Sequence, residues 1–181
     1  MVKNYKISTP FFEFGPKAYL YGDKLLELMK KIDTYAEKYD MDVIADVQTT
    51  DLRLIAENTS DRIHVYSQHM DSIPVGRGMG TILPEAVKAT GAVGVMLNHA
   101  ECKLTLDEIK KAIERADEVG LATIVCADTE EEIKAVAKMN PNIVVAEPSE
   151  LIGTGISVGR EYVDACIELV KSVNPEIMVL P

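Results

Sequence analysis

The chain has 181 residues, with 29 Asp and Glu against 19 Lys and Arg, for a formal net charge of −10. That length fits one domain with a sizeable core, and 47 % hydrophobic with 27 % charged residues excludes the disordered and fibrous classes. The acidic balance argues against nucleic acid, because no cationic surplus exists to displace phosphate counterions. No apolar run approaches the roughly 20 residues that span a bilayer. The start, Met1-Val2-Lys3-Asn4-Tyr5-Lys6, has no apolar signal core, so neither a membrane partner nor export is expected and the cytoplasm is the expected location. The three cysteines, Cys102, Cys126 and Cys166, have the spacing of neither a disulfide framework nor a zinc knuckle.

A first strand is expected at 1–6. Asp23 is positioned to cap a helix whose apolar stripe is Leu25, Leu26, Leu28, Met29, Ile32, Tyr35 and Ala36. β-Branched runs predict strands at 42–47, 62–66 and 93–97, most of them continuously apolar, which suits parallel strands covered on both faces. Thr105-Leu106-Asp107-Glu108 is a capping box that opens a helix with Ile109, Ala112, Ile113 and Ala116 inward and Gly120 just past its end. A strand at 122–126 follows, then a second start signal at Thr129-Glu130-Glu131-Glu132, a strand at 142–146 and a helix over 160–173 that stops before Asn174-Pro175. A last strand is expected at 177–180. The starts fall roughly 20 to 35 residues apart, the size of βα units. Such a series builds either an open doubly wound sheet or a (β/α) barrel, and periodicity does not choose between them.

In both architectures working residues gather at the carboxyl ends of the strands. Glu147 ends the apolar run Ile143-Val144-Val145-Ala146 and has the partly desolvated setting of a general base; the competing reading is a carboxylate turned to water. His99 emerges after Val93-Gly94-Val95-Met96-Leu97, as an acid–base group or as a hydrogen-bonded structural histidine. His69 carries the same ambiguity with a loop-bracing role favoured, and His64 lies inside a strand as a packing or surface residue. Asn4 and Lys6 stand two apart, on one side of the expected first strand, and read otherwise as terminal surface groups. Gly76-Arg77-Gly78-Met79-Gly80 lacks the lysine of a P-loop and follows no strand directly, so it reads as a conformationally special loop. Ile152-Gly153-Thr154-Gly155 is either a hinged lid with backbone free to approach a phosphate or a plain turn before the last helix.

Together, Asn4-Tyr5-Lys6, Asn98-His99-Ala100-Glu101 and above all Ala146-Glu147-Pro148-Ser149-Glu150-Leu151-Ile152-Gly153-Thr154-Gly155 resemble the triosephosphate isomerases, in the compact form found in archaea and some bacteria. Asp51-Leu52-Arg53-Leu54-Ile55-Ala56-Glu57-Asn58, Gln68-His69-Met70-Asp71 and the loop at 76–80 agree with it. The resemblance implies a (β/α)8 barrel and interconversion of dihydroxyacetone phosphate with glyceraldehyde 3-phosphate. It makes Glu147 the base, His99 the neutral electrophile, and Lys6 the positive charge for phosphate and oxyanion. It gives Asn4 substrate oxygens to bond, Glu101 the task of orienting the group and pairing with Lys6, and Gly153 a backbone N–H for the phosphate. No metal or organic cofactor is implied; a small phosphorylated sugar is the partner, and the 76–80 loop implies a homo-oligomer. On this footing the chain is expected to be one domain over 1–181, an incomplete barrel with strands 1–7 and without the last βα unit, and with reduced activity. Asp46-Val47-Gln48 departs from the apolar second-strand end the family leads one to expect. A paralogue acting on a four-carbon ketose phosphate, its pocket reshaped by an aromatic-rich first loop at Phe11, Phe12, Phe14, Tyr19 and Tyr21, and a non-catalytic binding module are the alternatives.

Overall fold

The computed structural model describes residues 1–180. Its strands, β1 (Phe11–Phe14), β2 (Asp42–Val47), β3 (Ile63–Ser67), β4 (Gly94–Leu97), β5 (Ala122–Ala127), β6 (Ile143–Ala146) and β7 (Met178–Leu180), alternate with α1 (Gly22–Tyr39), α2 (Leu52–Ala56), α3 (Pro84–Ala89), α4 (Leu106–Val119), α5 (Glu130–Lys138) and α6 (Arg160–Val173). Every strand is parallel to the next, in the order β1-β2-β3-β4-β5-β6-β7. This is the serial order of a (β/α)8 barrel. Among the described residues there is no eighth strand, β1 bonds only to β2, and β7 bonds only to β6.

Period-two alternation gives the sheet two faces. Val43, Ala45, Val47, Val65, Val95, Leu97, Val125 and Val144 point outward, where Leu25, Met29, Ile55, Ile109, Ile133 and Val170 of the helices cover them in one buried cluster. Each such fully buried aliphatic side chain contributes about 1.5–3 kcal/mol. The other face gathers Phe11, Ile44, Tyr66, Met96, Ile124, Ile143 and Met178 into a second cluster. Seven strands laid flat would span about 30 Å, so side chains from β1 and β7 reach a common cluster only because the sheet curls. Gly94 makes that curl possible beside Tyr66, because a Cβ on it would lie 2.1 Å from the Tyr66 ring.

The helix signals hold with one exception. Thr105 and Glu108 close the capping box of α4, Gly120 ends it in the left-handed region, and Thr129 accepts from the Glu132 N–H at the start of α5. At α1, however, Asp23 lies inside the first turn, and the cap comes from a distance: the Gly22 N–H donates to the Asp51 carboxylate at 2.9 Å. Tyr35 of the α1 stripe is exposed and stacks on Tyr39 instead of packing inward. No helix among the described residues is long and apolar enough to cross a membrane.

The largest correction concerns the first strand. It is not at 1–6 but at Phe11–Phe14, which pairs with Asp42–Ala45 of β2. The segment expected to be a strand lies irregularly across the amino ends of the strands. There Val2 bonds Asn142 through both its N–H and its C=O, at 3.2 and 3.1 Å, and the Tyr5 ring sits edge-on against His64 and Tyr66. The physical reason is hydrophobic content: Lys3 and Lys6 are exposed charges, whereas the aromatic run at 11–14 has rings to bury on both faces of the sheet. What reads in the sequence as an aromatic loop is the strand itself.

Candidate active site

At the carboxyl ends of the strands lies a cavity of 860 Å³. Lys17 enters it from the β1–α1 loop. Its φ of 50° is unusual for a residue with a Cβ, a strain of about 1 kcal/mol. Two amides offset this: Gln68 donates to the Lys17 carbonyl at 2.9 Å and Gln48 at 3.3 Å, and the Gln68 amide also holds the Asp46 carbonyl at 3.0 Å. The brace fixes the Lys17 backbone against β2 and β3, so the ammonium is aimed into the site.

His99 follows β4. Asn98 sets it there with a φ of 58°, a conformation asparagine tolerates. The buried Asn98 side chain donates to the Cys126 carbonyl and to Glu132, and accepts from the Leu104 N–H, which ties the ends of β4 and β5 to the loop between β4 and α4. On its Nδ1 side His99 meets Glu101, with the Glu101 backbone nitrogen at 3.2 Å and its carboxylate at 3.7 Å. Lys17 Nζ lies 2.8 Å from His99 Nε2. Burial and then the Lys17 charge lower the His99 pKa, against the smaller opposing pull of Glu101, Glu147 and Glu13. The neutral ring is therefore favoured, and across the 2.8 Å gap the Lys17 ammonium donates to the lone pair of His99 Nε2.

Glu147 follows β6 and forms part of the same wall, its backbone N–H held by the Ala127 carbonyl at 3.1 Å. Directly after it Ser149 donates through its N–H and hydroxyl to Asp128, at 2.8 and 2.7 Å, and these bonds hold the Asp128 carboxyl below its usual pKa. The segment from Leu151 to Val158 then bends over the cavity, with Leu151, Ile156, Ser157 and Val158 in its wall. Its turns place Gly153 and Gly155 at φ 75°. The chain is thus pinned at Asp128, and beyond it the hydrogen bonds of Ile152, Thr154 and Ile156 stay within the segment.

The structure brings His99 and Glu147 together, with Glu101 3.7 Å from His99 Nδ1. Gly153 is on the lid but not in the cavity wall. Asn4 and Lys6 are the corrections: both are exposed in the segment beneath the barrel, at the end of the strands opposite the cavity, so Lys6 is no partner for Glu101. The sequence reading missed Lys17. Its signal was present as a strand-forming run at 11–14, the breaker Gly15-Pro16, then the lysine. Also missed were the bracing role of Gln48 and Gln68 and two acids on the concave face, Glu13 and Asp46, which reach the cavity. His69 is in the cavity wall, with its Nδ1 3.8 Å from Cys102 Sγ and its Nε2 3.7 Å from Asp71. His64 packs on Tyr5, 3.3 Å from Asp42. The Cys126 thiol, buried on the floor, is pushed up to about 12 chiefly by burial and is inert.

Comparison with known proteins agrees with this geometry. The sequence profile of the family described as Triosephosphate isomerase matches residues 15–178, a span that begins after Asn4 and Lys6 and includes Lys17, His99 and Glu147. The chain is 40 % identical over 177 residues to the triosephosphate isomerase of Methanobacterium bryantii, covering 95 % of this chain and 77 % of that protein. It is 38 % identical over 162 residues to that of Methanothermus fervidus, covering 88 % and 72 %. It is 37 % identical over 170 residues to that of Sulfurisphaera tokodaii, covering 93 % and 73 %.

Proposed function

Because the chain belongs to the triosephosphate isomerase family, we propose that its cavity interconverts dihydroxyacetone phosphate and D-glyceraldehyde 3-phosphate through an enediolate. The observation that carries this reading is the convergence of Lys17 Nζ and His99 Nε2, 2.8 Å apart, in a cavity walled on another side by Glu147. A substrate carbonyl oxygen seated against both takes a hydrogen bond from Lys17 and, once the ring carries its hydrogen on Nε2, one from His99. Their value rises as that oxygen gains negative charge, which is what selective stabilisation of an enediolate needs.

Glu147 is the base that takes the proton from the carbon beside the carbonyl and returns it to the neighbouring carbon. His99, kept neutral by burial and by Lys17, donates from Nε2 without releasing a full charge into the site; a glutamate base paired with a neutral histidine is the known chemistry of this family. Lys17, not Lys6, supplies the positive charge. The lid that begins at Ser149 closes over the phosphate with Gly153 offering a backbone N–H, and excludes water from an intermediate that otherwise loses its phosphate. No step calls for a metal or organic cofactor. The loop at 76–80, with Val75 and Met79 exposed, supports self-association there, and a charged phosphate ester that does not pass a bilayer unaided supports a cytoplasmic location.

The test is steady-state isomerisation of glyceraldehyde 3-phosphate by the purified chain beside Glu147→Gln. Turnover that depends on Glu147 supports the reading. Wild-type turnover unchanged in the variant, or binding of the triose phosphate by neither protein, overturns it.

A further inference from the structure

Two helices of this chain open on the same signal, a threonine followed three residues later by a glutamate, yet they use the acid differently. At α4 the Glu108 carboxylate turns back to accept from the Thr105 N–H at 2.8 Å and closes the capping box. At α5 the equivalent acid is Glu132, whose N–H donates to the Thr129 hydroxyl in the usual way. Its carboxylate does not return to Thr129. One oxygen accepts from the Asn98 side-chain amide at 2.9 Å, and the other accepts from the Asp128 N–H at 2.7 Å. The bond that local chemistry offers this acid is forgone for two bonds to other elements.

Those two bonds join the ends of neighbouring strands. Asn98 follows β4, is buried at a φ of 58°, and directly precedes His99, so the way Asn98 is held sets how His99 leaves the strand. Asp128 follows β5, and its carboxylate accepts from the Ser149 N–H and hydroxyl at 2.8 and 2.7 Å. Glu147 lies between that pin and the bond from its own N–H to the Ala127 carbonyl at 3.1 Å. One line of hydrogen bonds therefore runs from Asn98 through Glu132 and Asp128 to Ser149. It crosses the ends of β4, β5 and β6, each paired on both sides. Glu132 itself does not line the cavity. Lys103 Nζ, 3.6 Å from Glu132, offsets the charge of two neighbouring carboxylates.

We propose that Glu132, from outside the cavity wall, is a positioning residue whose two carboxylate oxygens set the spacing between His99 and Glu147. This rests on the isomerase reading above, in which those two side chains act on one substrate. Proton transfer and carbonyl polarisation are both sensitive to placement, and a shift of about 1 Å costs on the order of 10² in rate. A glutamine cannot replace the acid. It has a single acceptor oxygen and turns amide hydrogens toward the second donor, so it holds Asn98 or Asp128 but not both.

The experiment compares Glu132→Ala, Glu132→Gln and Thr129→Ala, the last removing the α5 cap while leaving the line of bonds in place. Steady-state isomerisation of glyceraldehyde 3-phosphate is expected to show kcat lowered about tenfold or more in Glu132→Ala, with KM within about twofold. The fall should be smaller in Glu132→Gln and absent in Thr129→Ala. Amide hydrogen exchange read residue by residue tests the same line without turnover. Glu132→Ala should speed exchange at the Ser149 N–H, which Glu132 does not touch, by about tenfold or more, and Thr129→Ala should not. Equal losses of kcat in Glu132→Ala and Thr129→Ala would reduce Glu132 to a helix support and overturn the proposal. Parent-like kcat in Glu132→Gln, or a Ser149 amide that stays protected in Glu132→Ala, would overturn it too. If the parent shows no turnover, the exchange measurement alone decides the proposal; a parent that also fails to bind the triose phosphate overturns the isomerase reading and not the line of bonds.

Discussion

The two faces of the curled sheet are made from alternate residues of the same strands, yet they obey different rules. On β2 the outward residues are Val43, Ala45 and Val47, all buried under helices with every side-chain atom apolar, while the inward ones are Asp42, Ile44 and Asp46. On β5, Val125 faces the helices and Cys126 the cavity. The outer face is apolar but for Ser67 and Thr123, whose hydroxyls bond the His69 carbonyl and the Asn142 N–H, and its aliphatic residues are interchangeable in chemistry if not in shape. The inner face carries groups that cost stability: two unpartnered oxygens on Asp46 and the orphaned hydroxyls of Tyr66 and Tyr5. A period of two lets one strand serve both demands. Stability is stored on one side, and the strand acids Glu13 and Asp46 stand on the side that the cavity opens onto.

The largest effects should come from the inner rim. Glu147→Gln is expected to lower kcat by about 10²–10⁴, the range for removing a general acid–base group. Lys17→Met should lower kcat/KM by about 10² or more through loss of a charged donor to the developing oxyanion. Lys6→Met, in the segment under the barrel, should leave kcat/KM within about twofold, as surface changes away from a site do. The reverse pattern for the two lysines in steady-state assays would show that the charge reaches the site from the terminus after all.

On the outer face the expected effects are on stability and not on turnover. Leu97→Ala removes a buried side chain between β4 and the helices and should cost about 2–5 kcal/mol in chemical denaturation. Gly94→Ala sharpens the contrast because it acts across the inner face on a ring that does not line the cavity. Its Cβ would collide with the Tyr66 ring, and the expected cost is about 1–3 kcal/mol. A Gly94→Ala protein as stable as the parent would mean that Tyr66 has another rotamer to adopt.

The outer face was legible in the sequence, and much of the inner face was not. Continuous apolar runs at β4, β5 and β6 are what parallel strands covered on both sides look like, and the α4 capping box set the start of its helix to the residue. β1 was misplaced because Glu13 interrupts an aromatic run with a charge, while the terminal Asn4-Tyr5-Lys6 offers the more familiar pairing of residue types. That single misplacement put Lys6 at the expected site in place of Lys17, the lysine that lines the cavity, since strand ends were the guide to the site. His99 and Glu147 were legible as cavity-lining residues because each follows a run of four or more apolar residues, a signal no charge blurs. The distant cap of α1 by Asp51 and the double use of the Gln68 amide depend on loops meeting in space, which no local pattern encodes.

The smallest expected effect is the one that separates the faces most directly. Replacing Asp46 by Leu should stabilise the protein by about 1 kcal/mol at neutral pH, because the change removes an unsatisfied buried polar group. The sign of its pH dependence follows from linkage. The native Asp46 pKa lies well above the ordinary 3.8, so between 3.8 and that raised value the folded state holds a proton that the unfolded state has released. Stability of the parent must then fall as pH rises through this window, a slope that Asp46→Leu lacks. His99 contributes the opposite slope, since its native pKa is lowered from 6.5, but it is present in both proteins and cancels in the difference. Guanidinium midpoints at about pH 4, 6 and 8 should therefore show the advantage of Asp46→Leu growing with pH. An advantage that stays constant, or that shrinks, would mean that the acid on the inner face is ionised in the native protein and already satisfied there.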